Sequence, residues 1–178
     1  GPVSVVTIAT YRSVTGDETT ASGTVQTWLD DTEQDLEEYL DRPLPLGTYT
    51  AERCKINNER RGPTVYPRAT PISDGGDYLV AGHALVGVSP ISGLFDQSDP
   101  AYAEVTYTGG WSATTLPRCI RNDVCWAVRQ AVRGEAARVP AGATSVSLGD
   151  ASVSFGARPS DPDDRWSRQT RRYRRRHL

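Results

Sequence analysis

Methionine is absent from the 178 residues, lysine and histidine are scarce, and no long apolar run occurs. A bilayer-crossing helix needs about 20 consecutive apolar residues, so no transmembrane segment is predicted. The first residues lack the basic-then-apolar order of a signal peptide, and Gly1-Pro2 fits either a processed start or a protease scar. Three cysteines, an odd number, favour a reducing compartment over a disulfide framework. With only two histidines beside them, no metal-ligand spacing is present.

Charge is distributed unevenly, although the formal net charge is only −2. Residues 1–160 carry 13 basic and 19 acidic groups, whereas residues 165–178 carry seven arginines and no acid. An acidic body is therefore joined to a basic tail. The length fits one domain with room for an appendage. We expect a body over 1–159 and an Arg-rich C-terminal arm over 160–178.

Apolar residues at helical spacing predict three helices, at about 7–15, 23–41 and 116–134. Thr7 suits the N-cap of the first helix and Gly16 its end. The second helix has an apolar arc made of Val25, Trp28, Leu29, Thr32, Leu36, Tyr39 and Leu40. Its other arc is acidic and holds Asp30, Asp31, Glu33, Asp35, Glu37, Glu38 and Asp41. The third helix sets Leu116, Ile120, Val124, Ala127, Val128 and Ala131 opposite Arg118, Arg129 and Arg133.

Residues 43–110 differ, because short apolar runs alternate there with Pro- and Gly-containing turns. Strands are predicted at 49–56, 64–66, 78–81, 84–88 and 103–108, with a loop over 89–101. Ala103, Val105 and Tyr107 should share one face of the last strand. A hairpin is predicted at 145–155, pairing Leu148 with Ala151 and Val146 with Val153. The fold class is therefore α+β: a small helical bundle with an inserted β-rich region, a β-hairpin and a C-terminal arm helix.

The tail admits three interpretations. Residues 160–164 resemble a helix start, and that helix is predicted to run through the arginines. It has too few apolar residues for a core of its own, so we expect it to order only on a partner. It could be a solvated terminus, a nucleic-acid element that neutralises phosphates and stacks Trp166 and Tyr173 on bases, or an arm that docks into an acidic protein groove. The helix-start pattern favours the docking arm, because a purely electrostatic tail would not need a helix cap.

Trp126 lies on neither stripe of the third helix, so a second surface must cover it, from this chain or another subunit. The acidic arc of the second helix either faces water or meets the Arg face of a neighbour in a ring. Catalysis has little support, because no nucleophile motif and no phosphate-binding Gly loop is present. His83 fits a surface or hairpin-tip residue better than a general base. We therefore expect no enzyme, no cofactor and no metal.

Five stretches carry a family resemblance by their order and spacing. They are Thr7-Ile8-Ala9-Thr10-Tyr11-Arg12; Leu36-Glu37-Glu38-Tyr39-Leu40-Asp41-Arg42; Ala69-Thr70-Pro71-Ile72 with Tyr78-Leu79-Val80; Val105-Thr106-Tyr107-Thr108-Gly109-Gly110-Trp111; and Leu116-Pro117 with Ile120, Val124 and Arg129. Together they resemble the head–tail connector, or adaptor, proteins of long-tailed bacteriophages and gene transfer agents. The resemblance covers residues 5–135. The tail departs from it, because it is longer and richer in arginine than the family pattern.

The resemblance implies a structural virion protein of the neck, at the head–tail junction, assembled in the host cytoplasm. Such adaptors form a homo-oligomeric ring, commonly a dodecamer, below the portal protein. The ring extends the DNA channel, passes DNA without sequence recognition, and joins the portal to the tail or to a stopper (head-completion) protein. No membrane partner is implied. The alternative is a nucleic-acid-binding protein that uses the Arg-rich tail.

The resemblance also implies roles for residues. The C-terminal segment becomes a portal-binding arm, made of Arg165, Trp166, Arg168, Arg171, Arg172, Tyr173, Arg174, Arg175 and Arg176. The subunit interface becomes Arg118, Trp126, Arg129, Arg133, Asp30, Asp31, Glu37 and Glu38. The acidic arc lines the channel or points outward, and the strands project toward the next tail component.

Overall fold

The computed structural model describes residues 4–91, 101–136, 145–148, 151–154 and 165–175. Helices and antiparallel sheets both occur, which confirms the α+β class. The chain divides into two compact units, Gly1–Leu40 with Leu116–Leu178 (the helical unit) and Asp41–Thr115 (the β unit). The β-rich stretch is thus inserted between two helices, as predicted. No helix within the described ranges is long and apolar enough to cross a membrane.

The helical unit begins with α1, Ile8–Thr15. The Thr7 hydroxyl accepts the Thr10 N–H, and Gly16 ends the helix in the left-handed region at φ 69°. Both predicted caps are therefore confirmed. The long helices are α2, Ser22–Leu40, and α3, Arg118–Ala136, close to their predicted bounds.

The buried faces of the long helices differ from prediction at a few positions. On α2 the apolar arc is buried as predicted at Val25, Leu29, Thr32, Leu36 and Leu40, whereas Trp28 and Tyr39 are only half-buried. The prediction that Glu33 belongs to the exposed acidic arc is wrong, because Glu33 is buried. On α3 the buried residues are Leu116, just before the helix, and Ile120, Val124, Cys125, Val128 and Val132. The predicted stripe members Ala127 and Ala131 lie at its margin.

The β unit contains two antiparallel sheets. The first has the strand order β1-β7-β4, with β1 at Gly47–Lys55, β7 at Tyr102–Gly109 and β4 at Ile72–Asp74. The second has the order β2-β3-β6-β5, with β2 at Asn57–Glu59, β3 at Gly62–Val65, β6 at Ala84–Val86 and β5 at Leu79–Ala81. The five predicted strands are confirmed within a few residues. The strands β2 and β4 were not predicted, because each has only three residues and shows no alternation of polar and apolar side chains. The residues of β2 are all polar.

The β unit has its own core, and β7 crosses it. Ala103, Val105 and Tyr107 are buried on one face of β7, as the alternation predicted. Gly109, the last residue of β7, and Gly110 after it lie where other backbone segments pass close by. A Cβ on Gly109 would lie 2.1 Å from the Ala69 carbonyl oxygen, and one on Gly110 would lie 2.2 Å from the Pro45 carbonyl oxygen.

The remaining elements are short. A hairpin joins β8, Ser145–Leu148, to β9, Ala151–Ser154, and its register pairs Leu148 with Ala151 and Val146 with Val153, as predicted. The last helix, α4, spans only Arg168–Arg171. The prediction of a helix running through the Arg tail is therefore wrong, because Ser167 caps a single turn and like-charged neighbours do not extend it. The predicted helix start at 160–164 and most of the 89–101 loop lie outside the described residues.

Candidate interaction surfaces

The tail segment 165–175 packs on the helical unit of its own chain. Its anchor is Trp166, whose side chain is only 2% exposed. The indole ring lies beside the half-buried Tyr39 ring of α2, with 6.5 Å between centroids. Burying an indole is among the larger apolar contributions available to so short a segment.

Polar contacts hold the same segment to both long helices. Arg165 Nη1 lies 2.7 Å from Asp35 Oδ2 of α2, and the guanidinium also covers the Trp166 ring at 4.8 Å. On α3, Asp123 Oδ2 accepts the Ser167 N–H at 2.8 Å. Thus two carboxylates on different helices flank the buried indole.

The end of the segment meets the end of α2. The Arg175 N–H donates to the Leu40 carbonyl oxygen at 2.9 Å, which satisfies a carbonyl in the last turn of α2. The Arg174 guanidinium lies 5.0 Å from the centroid of the Tyr39 ring. Cations are favourable at a helix C-terminus, so the arginines complement this site electrostatically.

The segment is also bonded internally. The Ser167 hydroxyl accepts the Thr170 N–H at 3.3 Å, and Arg171 Nε donates to the Trp166 carbonyl oxygen at 2.8 Å. Thr170 is fully buried. The segment therefore forms a compact turn around its anchor rather than an extended strand.

These contacts correct one expectation about the tail. It was expected to find its ordering partner outside the chain, but the partner is the chain's own α2 and α3. The carboxylates were visible in the sequence, but nothing local linked Asp35 or Asp123 to a residue more than 40 positions away. Arg168, Arg172 and Arg174 remain exposed, Arg171, Tyr173 and Arg175 are half-buried, and Arg176 lies outside the described residues.

The outer face of α3 carries an exposed aromatic. Trp126 is 47% exposed, so it is not a core residue. Arg118 and Arg133, one to the N-terminal and one to the C-terminal side of it on α3, are exposed as well. An exposed indole on the same helix as exposed arginines combines residue types that are enriched at the centres of protein interfaces.

Arg129 does not belong to that exposed face, which corrects its predicted placement. Its Nη1 lies 2.8 Å from Asp17 Oδ2, and the Asp17 side chain is completely buried. The same carboxylate accepts the Tyr11 hydroxyl at 2.7 Å and the Thr20 hydroxyl at 2.6 Å. Hydrogen bonds from Thr20 and Tyr11 hold the pKa of Asp17 well below its usual range. Asp17 thus ties α1, the following loop and α3 together.

The acidic residues of α2 do not form one uniform surface. Asp30, Asp31 and Glu38 are exposed, Glu37 is half-buried, and Asp35 holds the tail. Glu33 faces inward and accepts the N–H groups of Val5 and Val6 at 2.9 and 2.7 Å. Burial raises the pKa of the Glu33 carboxyl, although these two amides act in the opposite direction. Its position gave a signal, since it lies four residues after Leu29 and three before Leu36, on the apolar stripe.

The β unit exposes apolar residues on an edge strand. Leu79 is 71% exposed and Val80 is 38% exposed, both on β5. His83 is exposed in the turn between β5 and β6, as its predicted place at a hairpin tip requires. All three cysteines are free thiols, so no disulfide joins them.

Comparison with known proteins does not assign the chain to a family. A scan against models of known protein families finds no match, and a search of curated proteins finds no sequence of significant similarity.

Proposed function

We propose that this chain is a structural virion protein: a head–tail adaptor that forms a ring below the portal and joins the capsid to the tail or to a stopper. The ring extends the DNA channel, and the C-terminal segment contacts the portal. The role is structural rather than catalytic, and the virion neck is its location.

The observation that carries the proposal is the exposure of Trp126 on α3. The same unit presents arginines on α3 and carboxylates on α2, namely Asp30, Asp31 and Glu38. Two faces of opposite charge on one subunit favour head-to-tail contacts between subunits. Such contacts close into a ring when the rotation between neighbouring subunits permits it. Surface ion pairs contribute only about 0–1 kcal/mol each, so they would set orientation while the indole supplies most of the affinity.

The order of the elements supports the same function. The stretches that resemble the adaptor family fall on α1, on the end of α2, around β4 and β5, on β7, and on the start of α3. A β unit inserted between α2 and α3 leaves the helices to form the ring wall.

The nucleic-acid alternative draws on the exposed arginines of the tail, Arg168, Arg172 and Arg174. It loses its main aromatic, because Trp166 is buried and cannot stack on a base in this conformation. Phosphate neutralisation alone would give binding that weakens steeply with salt.

Light scattering tests the proposal, with the protein alone and with the portal protein of the same virus. We expect a stoichiometric complex with the portal and weak binding to duplex DNA. Trp126→Ala should reduce assembly while leaving the melting temperature of the free subunit unchanged. Gln130→Ala, an exposed neighbour one turn away, is the control. A protein that ignores the portal and binds duplex DNA in a salt-dependent manner would contradict the adaptor function.

A further inference from the structure

We propose that segment 165–175 is a releasable latch, which stores the portal-binding arm on the body of the free subunit. The inference rests on the proposed function and adds the regulation of its portal site. The arm's aromatic anchor, Trp166, is 98% covered by the chain's own residues, so it cannot contact a portal in this state. Portal docking therefore draws on a population in which the latch is open.

The charged contacts that close the latch are partly solvated. The ion pair between Arg165 and Asp35 leaves 43% and 52% of the two side chains exposed. Further links to the body include the Asp123 bond to the Ser167 N–H, the Leu40 bond to the Arg175 N–H, and the contacts of the Trp166 indole and the Arg174 guanidinium with the Tyr39 ring. A short terminal segment held in this way opens locally at far less free energy than the whole fold.

The internal site also indicates the chemistry of the partner site. The latch is held by two carboxylates, an aromatic ring and the carbonyl end of a helix. Each of these complements an arginine-rich segment with one indole. The arm therefore fits a portal groove of the same composition: acidic, with an aromatic ring, at the C-terminal end of a helix. The body and the portal then compete for one segment.

Competition gives a quantitative link between two measurements. When the closed state predominates, the apparent dissociation constant for the portal equals the intrinsic constant divided by the open fraction. A substitution on the body that opens the latch leaves the arm intact. It should tighten portal binding by the same factor by which it raises the open population.

The experiment uses the full chain with Asp123→Ala or with Asp35→Asn. Limited trypsin digestion reports the open population, because trypsin cleaves after the arginines of the segment, and mass spectrometry identifies the cuts. We expect Asp123→Ala to raise the cleavage rate about tenfold and to tighten portal binding by a similar factor. Asp35→Asn, at an exposed site where substitution does not threaten folding, should also raise the cleavage rate and tighten portal binding, each by a smaller factor. Asp77→Ala, an exposed carboxylate of the β unit, is the charge-matched control.

Trp166→Ala should change portal binding in the opposite direction. It should also raise cleavage, but it should weaken portal binding, because the arm itself loses its anchor. Unchanged cleavage in both body variants would overturn the latch. So would faster cleavage with unchanged or weaker portal binding, since the docked tail would then be purely structural. If neither the parent chain nor any variant binds the portal, the adaptor function is contradicted. The cleavage rates still report whether the segment opens.

Discussion

The N-terminal and C-terminal segments of the helical unit are held by different kinds of contact. At the N-terminal side, Val5 and Val6 are buried and their amides are bonded to the buried Glu33 carboxylate. At the C-terminal side, one buried indole is flanked by the carboxylates of Asp35 and Asp123, and the Asp35 ion pair is half-exposed. Removing a partner from a buried carboxylate costs several kcal/mol of stability, about 3–5, whereas exposed ion pairs contribute little because water and salt screen them. The first segment is therefore part of the fold, and the second can detach from it.

The largest effect on stability is expected at Asp17, a second buried carboxylate of the helical unit. Asp17→Ala should lower the free energy of unfolding by about 3–5 kcal/mol, because it leaves Arg129 and Tyr11 without their buried partner. Urea unfolding measures the change. Glu18→Ala, its exposed neighbour, should change stability by less than about 0.5 kcal/mol. A similar loss from both variants would remove the contrast between buried and exposed carboxylates.

Glu33→Ala should have the next largest effect. It leaves the Val5 and Val6 N–H groups buried without their acceptor, which we expect to cost about 1–3 kcal/mol. Hydrogen exchange should accelerate at these two amides. If only the exchange rates change and global stability does not, the N-terminal segment is as detachable as the tail, and the comparison fails.

The pH dependence of stability separates the two buried carboxylates by sign. The pKa of Asp17 is lowered in the fold, so its stabilising contribution is present above its unfolded pKa and is lost as pH falls through the folded value. The pKa of Glu33 is raised, so its contribution is present below its unfolded pKa and is lost as pH rises through the folded value.

Unfolding titrations from about pH 2 to 8 test these signs, because the acid-side loss begins below the unfolded pKa of an aspartate, about 3.9. Asp17→Asn should flatten the acid-side loss of stability relative to the parent protein. Glu33→Gln should remove the opposite slope, which lies above the usual glutamate range. Parallel curves for the parent and both variants would contradict the assignment.

The smallest effect on stability is expected at Asp35. Asp35→Asn should change the free energy of unfolding by no more than about 1 kcal/mol, because its ion pair with Arg165 is half-exposed. Thermal unfolding at low and high salt checks this, and the difference between parent and variant should shrink as salt is added. A loss as large as that of Glu33→Ala would mean that the tail is an integral part of the fold.

Local chemistry predicted much of the fold. Thr7 and Gly16 mark the ends of α1 because a capping hydroxyl and a left-handed residue are local requirements. Ala103, Val105 and Tyr107 revealed the buried face of β7 because alternation follows from strand geometry. The strand β2 was missed because its polar residues and its Arg60-Arg61 turn carry no such signal. The charge of Glu33 predicts exposure, but its position on the apolar stripe of α2 is what places it inside.

The candidate surfaces were predicted less completely. Trp126 stands out in the sequence by its place on the flank of α3, and the structure leaves it 47% exposed. Its burial by another subunit stays a prediction. Helical spacing places Arg129 with the exposed arginines, because it cannot show that Asp17, 112 residues earlier, lies against it. The ring itself, the portal contact and the virion location stay predictions.

The sequence by itself determined helices α1 to α3, most strands, the hairpin register and the separation of an acidic body from a basic tail. Each of these follows from periodicity, capping or charge within a few residues. Only the tertiary structure decided that Glu33 faces inward and that Trp166 packs beside Tyr39. Both depend on contacts between residues far apart in the chain. A buried carboxylate and a docked tail are favourable only when another segment supplies the donors and the surface that replace water.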